Sequence, residues 1–240
     1  MKTNNRFFWM LTLLCGSLGC ILRILMMRTG LDESGLLKPF NLPHYGLWIL
    51  SIGFLILLLM NLKKLGADGC YKEFFPASRL QGFLSMAGGL LLIGANLGQL
   101  FSGGLLMGLA GILAGIGMIL VGLCRIQGER PSPMFHSLLC IFYVLRLVIS
   151  FRSWSADPQL QDYALQLLAC INLMLLSFHR ASCDARIIER RRTVFLGLAA
   201  VYFCMCSLSD ASAPLFYAAS GLWAAGSLCS LIHISPESNP

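Results

Sequence analysis

The amino-acid sequence predicts an all-α integral membrane protein of eight transmembrane helices, built as a tandem parallel 4+4 repeat with both termini cytoplasmic. Three observations predict it: the composition, the recurrence of long apolar runs, and the uneven distribution of Lys and Arg between those runs. Of 240 residues, 57% are hydrophobic and 12% charged, where soluble domains carry about 25% charged residues. The apolar runs continue along the whole chain and leave no stretch for a separate soluble domain.

A membrane-crossing helix takes about 20 mostly apolar residues, and eight segments approach that length. The first covers residues 7–27. Lys2 and Arg6 precede it as in a signal peptide, but no small-x-small cleavage site follows. Residues 17–20 (SLGC) hold a lipoprotein-like box with its residues out of order, so the segment is expected to be retained. The second, 45–62, follows the break at 41–44 (NLPH). The third and fourth, 81–100 and 102–124, are divided only by 99–104 (QLFSGG). Their joint length is about twice one bilayer crossing, which predicts a tight helical hairpin. The fifth, 133–151, opens after 131–133 (PSP), and the sixth, 161–179, after Asp157 and Pro158. The seventh, 193–209, follows the cationic run 189–192 (ERRR), and the eighth covers 212–234.

Cationic loops resist translocation, so their side of the membrane sets the topology. With the N-terminus inside, thirteen of the eighteen Lys and Arg are cytoplasmic; Arg23, Arg28, Lys38, Arg146 and Arg152 remain on the outer side. This predicts an N-in, C-in chain. It also accounts for the net charge of +7 without a nucleic-acid partner, because the cations lie mostly in loops between apolar runs.

An internal duplication divides the chain into residues 1–127 and 128–240, four helices each. Segment one carries Arg23 in the run ILRIL and then Arg28; segment five carries Arg146 in VLRLV and then Arg152. In the outer loops that follow, Asp32 and Asp157 stand four and five residues beyond the second arginine. Segments two and six open on Tyr45 and Tyr163, and segments three and seven open on Phe83 and Phe195. The offsets are 123 for the first arginine, 118 for the tyrosine and 112 for the phenylalanine. An even number of helices per half makes the halves parallel, and such duplications often mark transporters.

A guanidinium inside an apolar span costs roughly 2.5 to 3.5 kcal/mol at the helix centre. Arg23 and Arg146 therefore stand out, even though each can snorkel to the outer interface. Two readings stay open. Arg23, Arg28, Arg146 and Arg152 converge to bind an anion or lipid headgroup through their donor forks, or each pairs with a loop carboxylate, Asp32, Glu33, Asp157 or Asp162, and fastens the outer loops.

Every Asp and Glu lies in a loop or at a helix end, so no carboxylate is expected mid-membrane. His136 and His179, near cytoplasmic helix ends, are expected to anchor at the interface. Asn96 and Asn172 suit either a polar path or interhelical hydrogen bonds. No nucleophile and base stand in a catalytic pattern, and no enzyme activity is expected. Eight of the ten cysteines (Cys15, Cys20, Cys124, Cys140, Cys170, Cys204, Cys206 and Cys229) fall within or at the ends of apolar segments, where they behave as small hydrophobes. Cys204 and Cys206 point about 200° apart on a helix, and no metal or other cofactor is expected. Small-residue stripes at Gly104/Gly108, Gly111/Gly115 and Gly221/Ala225 predict close helix packing within the bundle. Residues 71–79 (YKEFFPASR) mix aromatic and basic groups as at a headgroup surface.

Residues 151–163 (FRSWSADPQLQDY), the run 164–176 after them, and Arg28-Thr29-Gly30 in the first half resemble a family of multi-pass membrane proteins of clostridial Gram-positive bacteria. The resemblance runs over most of the chain and is specific at the outer loop. It implies a bacterial plasma membrane and transfers no functional residue, since the family carries no assigned activity. Two functions are compatible with this sequence: a small-solute or anion permease or its binding component, favoured by the duplicated arginines, and a non-transporting sensor or scaffold, favoured by the sparse polar content of the spans. The lipid bilayer is the one partner the sequence specifies.

Overall fold

A computed structural model describes residues 5–29, 41–63, 78–101, 104–155, 163–187, 189–209, 213–229 and 231. Among these residues the chain forms eight helices: α1 (Asn5–Thr29), α2 (Leu42–Leu62), α3 (Arg79–Phe101), α4 (Leu105–Gln127), α5 (Pro133–Trp154), α6 (Ala164–Asp184), α7 (Arg190–Ser207) and α8 (Pro214–Cys229). Six of them, α1 to α6, are long and apolar enough to cross a bilayer, and the chain is a multi-pass helical membrane protein. α7 and α8 do not reach that measure. α7 opens on Arg190, Arg191 and Arg192, and α8 has 16 residues.

Local chemistry sets several of the ends. α4 stops at Gly128, whose left-handed backbone (φ 76°) lets its N–H return to Cys124 O. The Glu129 N–H donates to the same carbonyl at 2.8 Å. α5 starts five residues after Gly128, with Ser132 Oγ accepting from Met134 N at 3.4 Å and Pro133 in the first turn, where no amide donor is needed. Across the expected α3–α4 hairpin, Gly104 N–H donates to Gln99 O at 3.0 Å.

Glycine lets α3 pack on α4 backbone to backbone. A methyl group added at Gly89 would stand 2.6 Å from Gly115 O, and one at Gly122 would stand 2.7 Å from Gly82 O. These pairs run in opposite directions along the two helices, so the hairpin is antiparallel. The predicted small-residue stripe is used here through Gly108, Gly111 and Gly115, which meet Leu100, Asn96 and Ile93 of α3. On its other side α3 meets α8, where Gly88 faces Ala219 and Trp223, and Gly226 faces Leu84. Gly221 faces Cys204 on α7, while Cys206 lies against Gly19 on α1. The two cysteines thus occupy opposite sides of α7, as their spacing on a helix requires.

The helices alternate in direction, so one end of the bundle gathers the starts of α1, α3, α5 and α7 and the ends of α2, α4, α6 and α8. Lys63, Arg79, Arg125, Arg180 and Arg190 all lie at this basic end. α7 packs against α1, α6 and α8, and α3 against α4 and α8. By contrast, α1 and α2 make no substantial contact with α3 or α4. The first four helices are therefore two separate hairpins bridged by the last four, which follow one another in contact. The two halves of the chain pack differently.

Large aliphatic side chains cover the outside: Leu14 is 65% exposed and Ile49 71%. So continuous an apolar surface suits hydrocarbon and not water. Inside, aromatic rings dominate. Tyr143 packs on Phe142, Phe216 and Trp223 and donates to Ser220 Oγ at 3.2 Å. Phe54 of α2 stacks on Tyr202 of α7 at 4.4 Å.

Candidate functional site: a buried charged cluster at the basic end

Three helices meet where α4 ends, α5 begins and α6 ends, and each brings a charged or titratable side chain into the interior. Arg125 lies one turn before the Gly128 stop of α4, and its Nη2 donates to Asp184 Oδ1 at 2.8 Å. His136, in the first turn of α5, places Nε2 3.1 Å from Asp184 Oδ2. Arg180, one turn before Asp184 on the same face of α6, is fully buried in the field of both Asp184 and His136. The side chains of Asp184 and His136 are 0% exposed and that of Arg125 3%. The cluster therefore holds two guanidiniums and an imidazole around one carboxylate.

Its surroundings fix it in place. Arg130, in the α4–α5 connection, donates to Cys183 O at 3.4 Å. Cys183 Sγ lies 3.7 Å from Thr193 Oγ1 of α7, and Thr193 Oγ1 donates to Glu189 O. Arg190 reaches Leu231 O through Nε at 3.1 Å and Nη2 at 2.9 Å, closing the segment after α8 over the same end. The His136 ring stands 6.0 Å from that of Trp223. Neither His136 Nδ1 nor Trp223 Nε1 has a hydrogen-bond partner among the described residues, and both are buried. Among the described residues no three of His, Cys, Asp and Glu group as a metal site.

The cluster corrects one sequence expectation, for His136, and adds burial to the helix-end positions expected for Asp184, Arg125 and Arg180. His136 is buried against Asp184 instead of anchoring at the interface, because the face of α5 that carries it also carries Leu139 and Tyr143 into the core. Asp184 is the last residue of α6, and its side chain turns inward to Arg125 of α4 and His136 of α5. Arg125 and Arg180 sit among the topology-setting cations by position, but both are buried partners. Asn96 and Asn172 also differ. Each turns its amide nitrogen back to its own helix at 2.8 Å, to Leu92 O and Leu168 O, so these donors make no interhelical bond.

The arginines singled out by the sequence have different neighbours from one another. Arg23 is buried on α1 with Nη1 3.5 Å from Met26 Sδ, in the part of the bundle formed by α1, α2 and α7. Arg146 is half-buried, with its guanidinium 4.8 Å above the Phe216 ring of α8. Arg28 and Arg152 are exposed. Asp32 and Asp157, with Glu33 and Asp162, lie outside the described residues, as does 71–77 of the aromatic and basic stretch. His179 is half-buried, its Nδ1 3.6 Å from Glu189 Oε2.

Comparison with family models, with curated proteins and with solved structures finds no match.

Proposed function

We propose that this membrane protein binds a small anion at Arg125, His136, Arg180 and Asp184, as a permease or as its binding component. The observation that carries the reading is the burial of two guanidiniums and an imidazole around a single carboxylate. Ionisable groups inside a membrane bundle are costly and characteristically mark ion paths, relays or fixed pairs. An arginine fork recognises carboxylate and phosphate through the same geometry. In this reading Asp184 is the internal counter-ion, holding the donors until a solute anion replaces it. His136 Nδ1 and Trp223 Nε1 supply further polar groups beside them.

The chain crosses the membrane eight times in this reading, with both termini inside. Support comes from the alternation of helix direction and from the concentration of cations at one end. The resemblance to clostridial proteins supports a bacterial plasma membrane. The 4+4 duplication is supported by the matched arginines, tyrosines and phenylalanines, with packing that has since diverged between the halves.

The test is a thermal-shift series on purified protein with acetate, phosphate, sulfate and chloride, since a ligand stabilises by RT ln(1 + [L]/Kd). A saturable rise with one anion, lost in Arg125→Leu and Arg180→Leu, is expected. Asp184→Asn removes the competing carboxylate and should tighten that anion. No saturable anion effect in the wild type or in folded Asp184→Asn would defeat the proposal. Flux into proteoliposomes separates a permease from a binding component.

A second reading, a non-transporting sensor or scaffold, is favoured by the Arg125–Asp184 pair, already formed in a site closed to solvent. It predicts that substitutions in the cluster change thermal stability alone.

A further inference from the structure

A second feature lies on the lipid-facing side of the basic end, apart from the charged cluster. Midway along α2, Ser51 Oγ meets Tyr202 OH at 2.8 Å and Phe54 stacks on the same ring, so α2 is pinned to α7 there. Towards its C-terminal end α2 still buries Leu58 and Leu62, but it makes no substantial contact with α6. The gap is a cavity of 670 Å³ between α2, α6 and α7. Its walls are aliphatic and aromatic, with Ile56 and Met60 on one side and Leu175, Phe195 and Leu196 on the other. Ile56 is 53% exposed and Met60 61%. The polar lining is confined to the basic end, where Lys63, His179, Arg191 and Arg192 form the mouth. Lys63, Arg191 and Arg192 are exposed. Glu189 is the acid at this rim, and it binds Arg192 through both oxygens at 3.0 Å. Among the described residues, three cations thus stand at this rim with one carboxylate.

We infer that this groove is a binding site for an anionic phospholipid, with an acyl chain between α2, α6 and α7 and the phosphate at Lys63 and Arg191. An apolar trough opening along the helix axes matches a hydrocarbon chain. A cationic mouth at the helix ends stands at the depth of the headgroup phosphates. The walls accept any acyl chain, so the excess of positive charge at the mouth is what selects an anionic headgroup over a zwitterionic one. The Glu189 pair holds Arg192 to the start of α7. A site of this kind would add a link between α2 and α6, two helices that make no substantial contact of their own.

Native mass spectrometry of delipidated protein, with phosphatidylglycerol and phosphatidylcholine of identical chains at equal mole fraction, tests it. The wild type should retain phosphatidylglycerol in preference. Lys63→Gln and Arg191→Gln should each weaken phosphatidylglycerol by about five-fold, the equivalent of about 1 kcal/mol per headgroup-level cation, and leave phosphatidylcholine unchanged. Leu196→Trp should fill the trough and lower retention of both lipids. Because the two cations are exposed, their variants keep the test decisive even if Leu196→Trp fails to fold. Equal retention of the two lipids by the wild type, or an undiminished preference in the double Lys63→Gln/Arg191→Gln variant, would overturn the assignment. So would a wild-type dimer that Leu196→Trp converts to monomer without any change in lipid retention.

Discussion

Arg125 on α4 and Asp184 on α6 are 59 residues apart in the sequence and 2.8 Å apart in the folded protein. Their pairing brings together the ends of two helices that are not consecutive, and His136 adds the start of α5 to the same carboxylate. A buried ion pair gains Coulomb energy only against the cost of removing both charges from water. Its asymmetry is therefore diagnostic: the pair together is tolerated, and either partner alone is not.

Arg125→Leu should lower stability by about 3 to 5 kcal/mol, because it leaves the Asp184 carboxylate buried beside fewer donors. The double variant Arg125→Leu/Asp184→Leu should lose less than the sum of the two single variants, while still leaving the buried Arg180 without its carboxylate. A double-mutant cycle by thermal denaturation in detergent checks it, and additive losses would show that the pair is not coupled.

The glycine seam makes a second, opposite pair of expectations. At Gly89 an added methyl meets the Gly115 backbone, which cannot swing aside, so Gly89→Ala should destabilise by about 1 to 3 kcal/mol. At Gly94 nothing lies within 4 Å, and Gly94→Ala should be neutral or stabilise by about 0.5 to 1 kcal/mol through helix propensity. Equal melting temperatures for the two variants would contradict the close α3–α4 packing.

Ser51 Oγ lies 2.8 Å from both Leu47 O and Tyr202 OH, and with its single proton given to Leu47 O, Tyr202 becomes the donor in the bond that joins α7 to α2. Tyr202→Phe leaves Ser51 satisfied and keeps the ring stacked on Phe54. The expected cost is about 0.6 kcal/mol, near the mean for interhelical hydrogen bonds in membranes. Ser51→Ala leaves the buried Tyr202 hydroxyl only the weak Cys206 thiol as a partner and should cost more. Reversal of that order in thermal denaturation would show that the donor direction is wrong.

Arg146→Leu removes a guanidinium from the face of Phe216 and should cost about 0.5 to 2 kcal/mol, the range for cation–π contacts as desolvation increases. Arg152→Gln, at an exposed position, should leave stability unchanged. Measured beside Arg23→Leu, the same variants separate packing from solute binding at the outer arginines. Loss of an anion-dependent thermal shift without loss of basal stability would move the binding site from the Asp184 cluster to the outer end.

Sequence alone determined the helices. Each of the eight apolar segments contains most of a helix, with ends differing by a few residues, as at α4, expected at 102–124 and found at Leu105–Gln127. The reason is local: hydrocarbon offers no partner to an open peptide group, so a long apolar run closes its own hydrogen bonds, and Gly128 or Pro133 marks the end whatever lies beside it. The stripe of small residues on α4 was legible for the same reason, since it is a property of one helix face.

What only the tertiary structure decided is which charges turn inward and which helices share them. Arg125, Arg180 and Asp184 stand at helix ends, where position alone marks them as topology-setting or exposed groups. The burial of all three depends on the rotation of α4, α5 and α6 about their own axes and on their convergence at one end. The spacing of Arg180 and Asp184, four residues apart and so on one face of α6, was the one available signal. It could not name Arg125 as the partner 59 residues away, because a pairing between helices is fixed by how they pack and not by the composition of either.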